Sequence, residues 1–174
     1  MNRIFRLSLA CVVLGGSLAG TAYADPVTIN ITGNVLAAPC IINGASSVPV
    51  DLGDIQAPAL ATAGTASGWK QLKLNLKDCP ASTTKAVAVF KGTPDATDAN
   101  LYANAGTAGK NVAIELAVDG TSIDWVNNGR TLTANVNATT HTAVFALAAR
   151  AKSVKGAVTP GTISGVIQVD FTYQ

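Results

Sequence analysis

The sequence predicts an all-β protein, a two-sheet sandwich of immunoglobulin-like type. Apolar and polar side chains alternate with a period close to two along most of the chain, and turn-forming residues interrupt that alternation at short intervals. No long stretch keeps a helical period. About seven strands in one domain-sized chain, with no repeat and no linker dividing them, fit a sandwich better than separate domains.

Taken in order, residues 1–24 read as an address. Arg3 and Arg6 supply a positive start, "LSLACVVLGGSLAG" an apolar middle, and Ala22-Tyr23-Ala24 a small-residue cleavage signature, so a mature chain is expected to begin at Asp25, with the cut between Ala24 and Asp25. The alternative is a single-pass anchor, for which the apolar run is short. No later segment is apolar enough to span a bilayer, and no stable membrane anchor is expected.

Loss of the leader changes the charge argument. Two of the 12 basic residues leave with it and all 10 acidic ones stay, so ten face ten and the net charge falls to zero. The basic balance of the precursor is therefore no reason to expect a nucleic-acid partner. Charged residues make up only 13% of the chain. That scarcity fits either a surface that touches something other than water or an Ala- and Thr-rich strand protein.

Residues 25–37 alternate, with Val27, Ile29, Ile31, Gly33 and Val35 on one side. Cys40 follows. It and Cys79 are the pair left once Cys11 leaves with the leader, and an even pair in an exported chain reads as a disulfide, with two reduced thiols as the alternative. "VPVDLGDI" (48–55) reads as a strand ending in a turn built by Asp51 and Asp54 around Gly53, and "QAPALATAGTASG" breaks the pattern. "WKQLKLNLKDC" sets Leu72, Leu74 and Leu76 against Lys73, Asn75 and Lys77, the pattern of a half-buried antiparallel strand.

"KAVAVFKG" is a further strand, closed by the turn "TPDATDAN". "NVAIELAVDG" leads through the tight-turn pair Asp119-Gly120 into "TSIDWV". "NNGRTLTANV" and "HTAVFALAARAKSV" supply two more. The second is alanine-rich enough for a helix, but its two-residue spacing and its β neighbours make it a strand. The chain closes on "GTISGVIQVDFTYQ", where Ile163, Gly165, Ile167, Val169, Phe171 and Tyr173 share one face and Asp170 is the one charge. An edge of that kind, without Lys or Pro to blunt it, invites a pairing partner.

Signs of catalysis are weak. His141 stands alone in a Thr-rich segment with no nucleophile spaced to it, and no metal, phosphate or dinucleotide motif is present, so no enzyme activity and no cofactor are expected. Trp69 and Trp125 suit packing better than a sugar platform.

In this order and spacing, these residues resemble the subunits of chaperone–usher fimbriae, and among them the minor adaptor subunits of type 1 pili. The resemblance rests on the alternating arm with Gly33, "APC" at 38–40, "VDLGDI" at 50–55, "SGWKQLKLNLKDCP" at 67–80, Gly161, fourteenth from the end, and the penultimate Tyr173. It implies a pilin fold: an incomplete sandwich over 38–174 that lacks its C-terminal strand, preceded by a donor-strand extension at 25–37. It also implies partners: a periplasmic chaperone that fills the gap, gripping the edge from Ile163 to Tyr173 and the carboxylate of Gln174; an outer-membrane usher; and neighbouring subunits whose arms replace the chaperone, building a fimbrium at the cell surface that supports adhesion. The competing expectations are a self-contained exported binding module, with residues 25–37 folded back as its own first strand, and a major rod pilin.

Overall fold

The computed structural model describes residues 27–108, 111–121 and 124–174. The expected leader and the Ala24–Asp25 cleavage point lie outside them. Eight strands form among the described residues, the longer ones on segments where bulky or β-branched residues repeat every second position. They are β1 (Ile41–Ile42), β2 (Lys70–Lys77), β3 (Lys85–Lys91), β4 (Tyr102–Ala103), β5 (Val112–Val118), β6 (Thr131–Asn135), β7 (Ala143–Ser153) and β8 (Gln168–Tyr173). One turn of 3-10 helix, Ala57–Leu60, carries Pro58 near its start and buries Leu60.

The strands make two antiparallel sheets, one in the order β1-β2-β7-β5-β4 and one in the order β6-β3-β8. The alanine-rich segment is strand β7, as its spacing predicts, and it pairs with β2 on one side and β5 on the other. The core lies between the sheets. Leu76, Phe145, Leu147, Ile114 and Leu116 enter from the first, and Ala86, Ala88 and Phe90 from the second. Small residues on β3 let the sheets approach, and the bulk comes from the facing strands.

Cys40 and Cys79 form a disulfide beside β1. By limiting the unfolded chain, a loop of 39 residues closed in this way stabilises the fold by about 4 kcal/mol in the chain-entropy account. Asp51 accepts from the Gly53 amide at 2.8 Å, and Gly53 has φ +73°, so the expected turn forms there. The segment around it does not form a strand. Residues 48–55 alternate in sequence but have no ladder partner among the described residues, because a period of two fixes which way side chains point and leaves open whether a neighbouring strand exists. The segment "TSIDWV" is likewise reduced, within its described part, to a single bridge between Trp125 and Ala117.

Candidate functional site

The two sheets end in unlike ways. β1 is only two residues long at its edge of the larger sheet, and β8, the last strand of the chain, lies at the edge of the smaller one with β3 as its ladder partner. These edges meet at one point, where the Tyr173 hydroxyl donates to the Cys40 carbonyl at 3.4 Å. Away from that contact, the core along this side is incompletely covered. Val169, Phe171 and Tyr173 point inward, as the alternation predicts, and Phe171 reaches the Phe145 ring with centroids 5.8 Å apart, yet all three remain half-buried. Leu72 and Leu74 on β2 are half-buried too, and Ile41 and Ile42 are exposed.

The run before β8 reaches the other sheet first. Ser164 accepts from the Ala105 amide and Thr162 from the Ala108 amide, both at 2.8 Å, before residues 168–173 pair with β3. Gly165 belongs to this crossing: a side chain there would run into the Ile114 side chain. Ile163 and Ile167 flank it, half-buried against the core. At this end of the chain's last segment a cavity of about 420 Å³ opens, lined by Ile55, Leu60, Val112, Val158, Pro160 and Ile163. Ile163, Ile167, Val169, Phe171 and Tyr173 all pack against the core, although the regular ladder begins only at Gln168.

The carboxyl end is held in place. The Gln174 oxygen accepts from the Thr84 amide at 2.6 Å, the Lys85 amide at 2.9 Å and the Thr84 hydroxyl at 3.2 Å. Close by in sequence, buried Thr83 donates its hydroxyl to the Ala38 carbonyl at 2.8 Å. Thr83 and Thr84 thus tie down both the segment leading into Cys40 and Gln174. On the outer face of β8, Asp170 meets Lys91 at 2.6 Å, and that contact with the Gln168 amide holds its carboxyl below the usual range.

Residues 27–34 form no regular secondary structure and are separate from the unit that begins at Val35. Val27, Ile29, Ile31 and Val35 are 87%, 79%, 91% and 102% exposed, and nothing lies near Gly33. Four large aliphatic side chains in water on alternate residues are a strand face without a sheet.

Sequence reasoning missed one buried cluster. Glu115, on β5, is fully buried, and both cations that neutralise it come from β7: the Arg150 guanidinium bonds one carboxylate oxygen, and Lys152 the other at 3.0 Å. Arg150 also stacks on Trp69 at 4.1 Å, and Lys152 lies 5.7 Å from the Trp125 ring. Both tryptophans therefore pack on this ion cluster. His141 is likewise no free surface histidine: its Nδ1 lies 2.9 Å from the Cys79 carbonyl, and its own carbonyl accepts from the Cys79 amide at 3.0 Å. No group of His, Cys, Asp and Glu suited to a metal exists among the described residues.

A two-sheet antiparallel sandwich, half-covered along its last strand and preceded by an apolar segment with no ladder partner among the described residues, is an all-β architecture of the pilin type. Residues 29–174 match the fimbrial protein family, and the chain belongs to it. It is 39% identical over 155 residues to Protein FimG of Escherichia coli K12, covering 89% of each chain. It is 37% identical over 174 residues to the fimbrial-like protein YdeR of the same organism, covering 100% of this chain and 98% of that one. Among solved structures, a subunit of a chaperone–usher pilus superposes with a TM-score of 0.64 at 25% identity, covering 90% of this chain and all of that one. The chain is a structural subunit of a pilus of the chaperone–usher class, and the fimbrium places it at the cell surface.

Proposed function

We propose that the subunit polymerises by donor strand exchange: residues 25–37 leave the chain as a donor strand, and the edge from Ile163 to Tyr173 accepts the corresponding arm of another subunit. One observation carries this reading. The same chain holds an apolar strand face in water, Val27, Ile29, Ile31 and Val35, and a terminal strand whose inward residues Val169, Phe171 and Tyr173 are half-covered. Burying the four arm side chains would contribute very roughly 6–12 kcal/mol before the entropy of ordering is subtracted. A ladder of main-chain hydrogen bonds along β8 adds to this and fixes the register.

Before exchange, a periplasmic chaperone occupies the edge and grips the Gln174 carboxylate, and the outer-membrane usher is where arm replaces chaperone. The block from Ser67 to Pro80 supports a minor adaptor role rather than that of the major rod subunit. The presence of both an arm and an acceptor edge supports an internal position in the fibre.

Co-expression with the matching chaperone tests the reading. A one-to-one complex should form, and a synthetic arm peptide from a neighbouring subunit should displace the chaperone. A mature chain that stays soluble alone, melts cooperatively and ignores such peptides would overturn it.

A further inference from the structure

The chain contains two Asn-Gly pairs, Asn43-Gly44 and Asn128-Gly129. In such a pair the glycine nitrogen can attack the asparagine side chain, because no Cβ obstructs the approach and glycine reaches backbone angles closed to other residues. Asparagine is for this reason among the thermolabile residues. Whether the attack occurs depends on what holds the two groups apart.

The fold treats the two pairs differently. At the second, the Gly129 amide donates to the Phe90 carbonyl at 2.7 Å, and the Asn128 side-chain oxygen accepts from the Gly92 amide at 3.1 Å, so nucleophile and electrophile are both engaged. At the first, residues 43 and 44 lie exposed in a bend after β1. Neither the Gly44 amide nor the Asn43 side chain makes a hydrogen bond among the described residues. Gly44 has φ +125°, and the space beside its α-carbon is open. The Asn43 backbone is anchored on the other side, its amide donating to the Asn75 carbonyl at 2.8 Å.

We infer that Asn43 is a site of spontaneous deamidation and isomerisation, and that the fold protects Asn128. The Gly44 nitrogen bonds to the Asn43 side-chain carbonyl carbon and loses its proton, and the carbon–nitrogen bond of the amide breaks to release ammonia, leaving a cyclic imide. Water then opens either imide carbonyl. One product is an ordinary aspartate. The other is an isoaspartate, in which the chain runs through the former side chain and gains one backbone carbon. Both products place a carboxylate at the last rung joining β1 to β2, beside exposed Ile41 and Ile42.

The test incubates the subunit with its acceptor edge filled by a neighbour's arm peptide at neutral to mildly alkaline pH and 37 °C, with its disulfide intact and its β-sheet spectrum checked throughout. Peptide mapping and isoaspartate-specific methylation then read each site. Asn43 should lose its amide roughly thirtyfold faster than Asn128, the ratio that breaking two ordinary hydrogen bonds of about 1 kcal/mol each sets. In the urea-unfolded chain the two rates should converge, and Asn43→Gln should abolish the native signal. Equal rates in the folded chain, or faster loss at Asn128, would overturn the assignment. So would an unmodified Asn43 in the folded chain when the unfolded chain reacts there.

Discussion

The Tyr173 hydroxyl donates to the Cys40 carbonyl at 3.4 Å, so the penultimate residue of the chain touches the half-cystine that precedes β1. The bond is long and its acceptor belongs to a half-cystine already tethered to Cys79. Tyr173→Phe should therefore cost only about 0.5 kcal/mol, the low end for a neutral hydrogen bond. Tyr173→Ala also removes a half-buried ring and should cost about 2 kcal/mol, less than for a core aromatic. Urea unfolding of the domain filled by an arm peptide checks both. Equal losses would mean that the hydroxyl, and not the ring, secures the tail.

Tyr102 gives a pH dependence with a definite sign. Its ring lies in the core, its hydroxyl has no partner among the described residues, and burial pushes its pKa up from 10.0 to about 12. Folding therefore favours the neutral phenol. The contribution is complete below pH 10 and is lost as pH rises toward 12, about 3 kcal/mol in all. Burial raises Tyr173 as well, which adds in the same direction. Tyr102→Phe should remove most of this alkaline loss without lowering stability at pH 7, since it deletes a buried hydroxyl that bonds to nothing. Stability measured at both pH values in both proteins decides the matter.

The buried carboxylate on β5 makes the third prediction. Glu115→Gln keeps the shape and removes the charge that Arg150 and Lys152 share. Both cations are about one-fifth exposed and can turn toward water, so the loss should fall near 3 kcal/mol, at the low end for breaking a buried pair. Lys152→Met should cost less, because Arg150 remains on the carboxylate. Denaturant midpoints of the two variants should rank in that order, and the opposite ranking would assign the main partner to Lys152.

These cases mark what the sequence discloses. Strands β2, β3, β5, β7 and β8 all stand where a period of two and flanking turns place them, and the turn at Asp51 and Gly53 was legible from its residue types. Glu115 was not, because it occupies a polar position of an alternating strand and reads as solvent-facing. Its neutralising partners lie 35 and 37 residues away. His141 was opaque for the same reason, since Cys79 is 62 residues distant. Strand β4 is too short for periodicity to register. Residues 48–55 show the converse: their alternation is genuine and their ladder is missing, which a local pattern cannot distinguish from a paired strand.

Gly161 supplies a prediction about the crossing before β8. It has φ +155°, and a side chain there would meet the backbone of Thr107 and Ala108. Those residues are held to Thr162 by the Ala108 amide and by the paired threonine hydroxyls 3.1 Å apart. Gly161→Ala must either strain the turn or break these contacts, at a cost of about 1–3 kcal/mol. Arm-peptide binding should weaken with it, because Ile163 lines the cavity at that end. Gly64→Ala is a control with positive φ but open space, and should cost only its backbone strain. Equal losses in melting temperature would show that conformation alone, and not the close approach, requires glycine at 161.

The alternation of the arm separates its two faces experimentally. Ile31 is 91% exposed and joins no core cluster among the described residues, so Ile31→Asp should leave the subunit's folding and its uptake of a neighbour's arm unchanged. As a donor the same variant should fail. Seating it in an apolar lane forfeits the burial of the isoleucine and adds an unpaired carboxylate, a loss of at least about 3 kcal/mol, or roughly a hundredfold in Kd. Asn30→Asp carries the same charge one residue away on the opposite face and should bind almost as the natural arm does. Peptides of residues 25–37 with either change, titrated against a subunit that lacks its own arm, measure the difference. Comparable weakening by both would mean that charge along the arm, and not the face it buries, governs docking, and the strand-by-strand account of the joint would have to be given up.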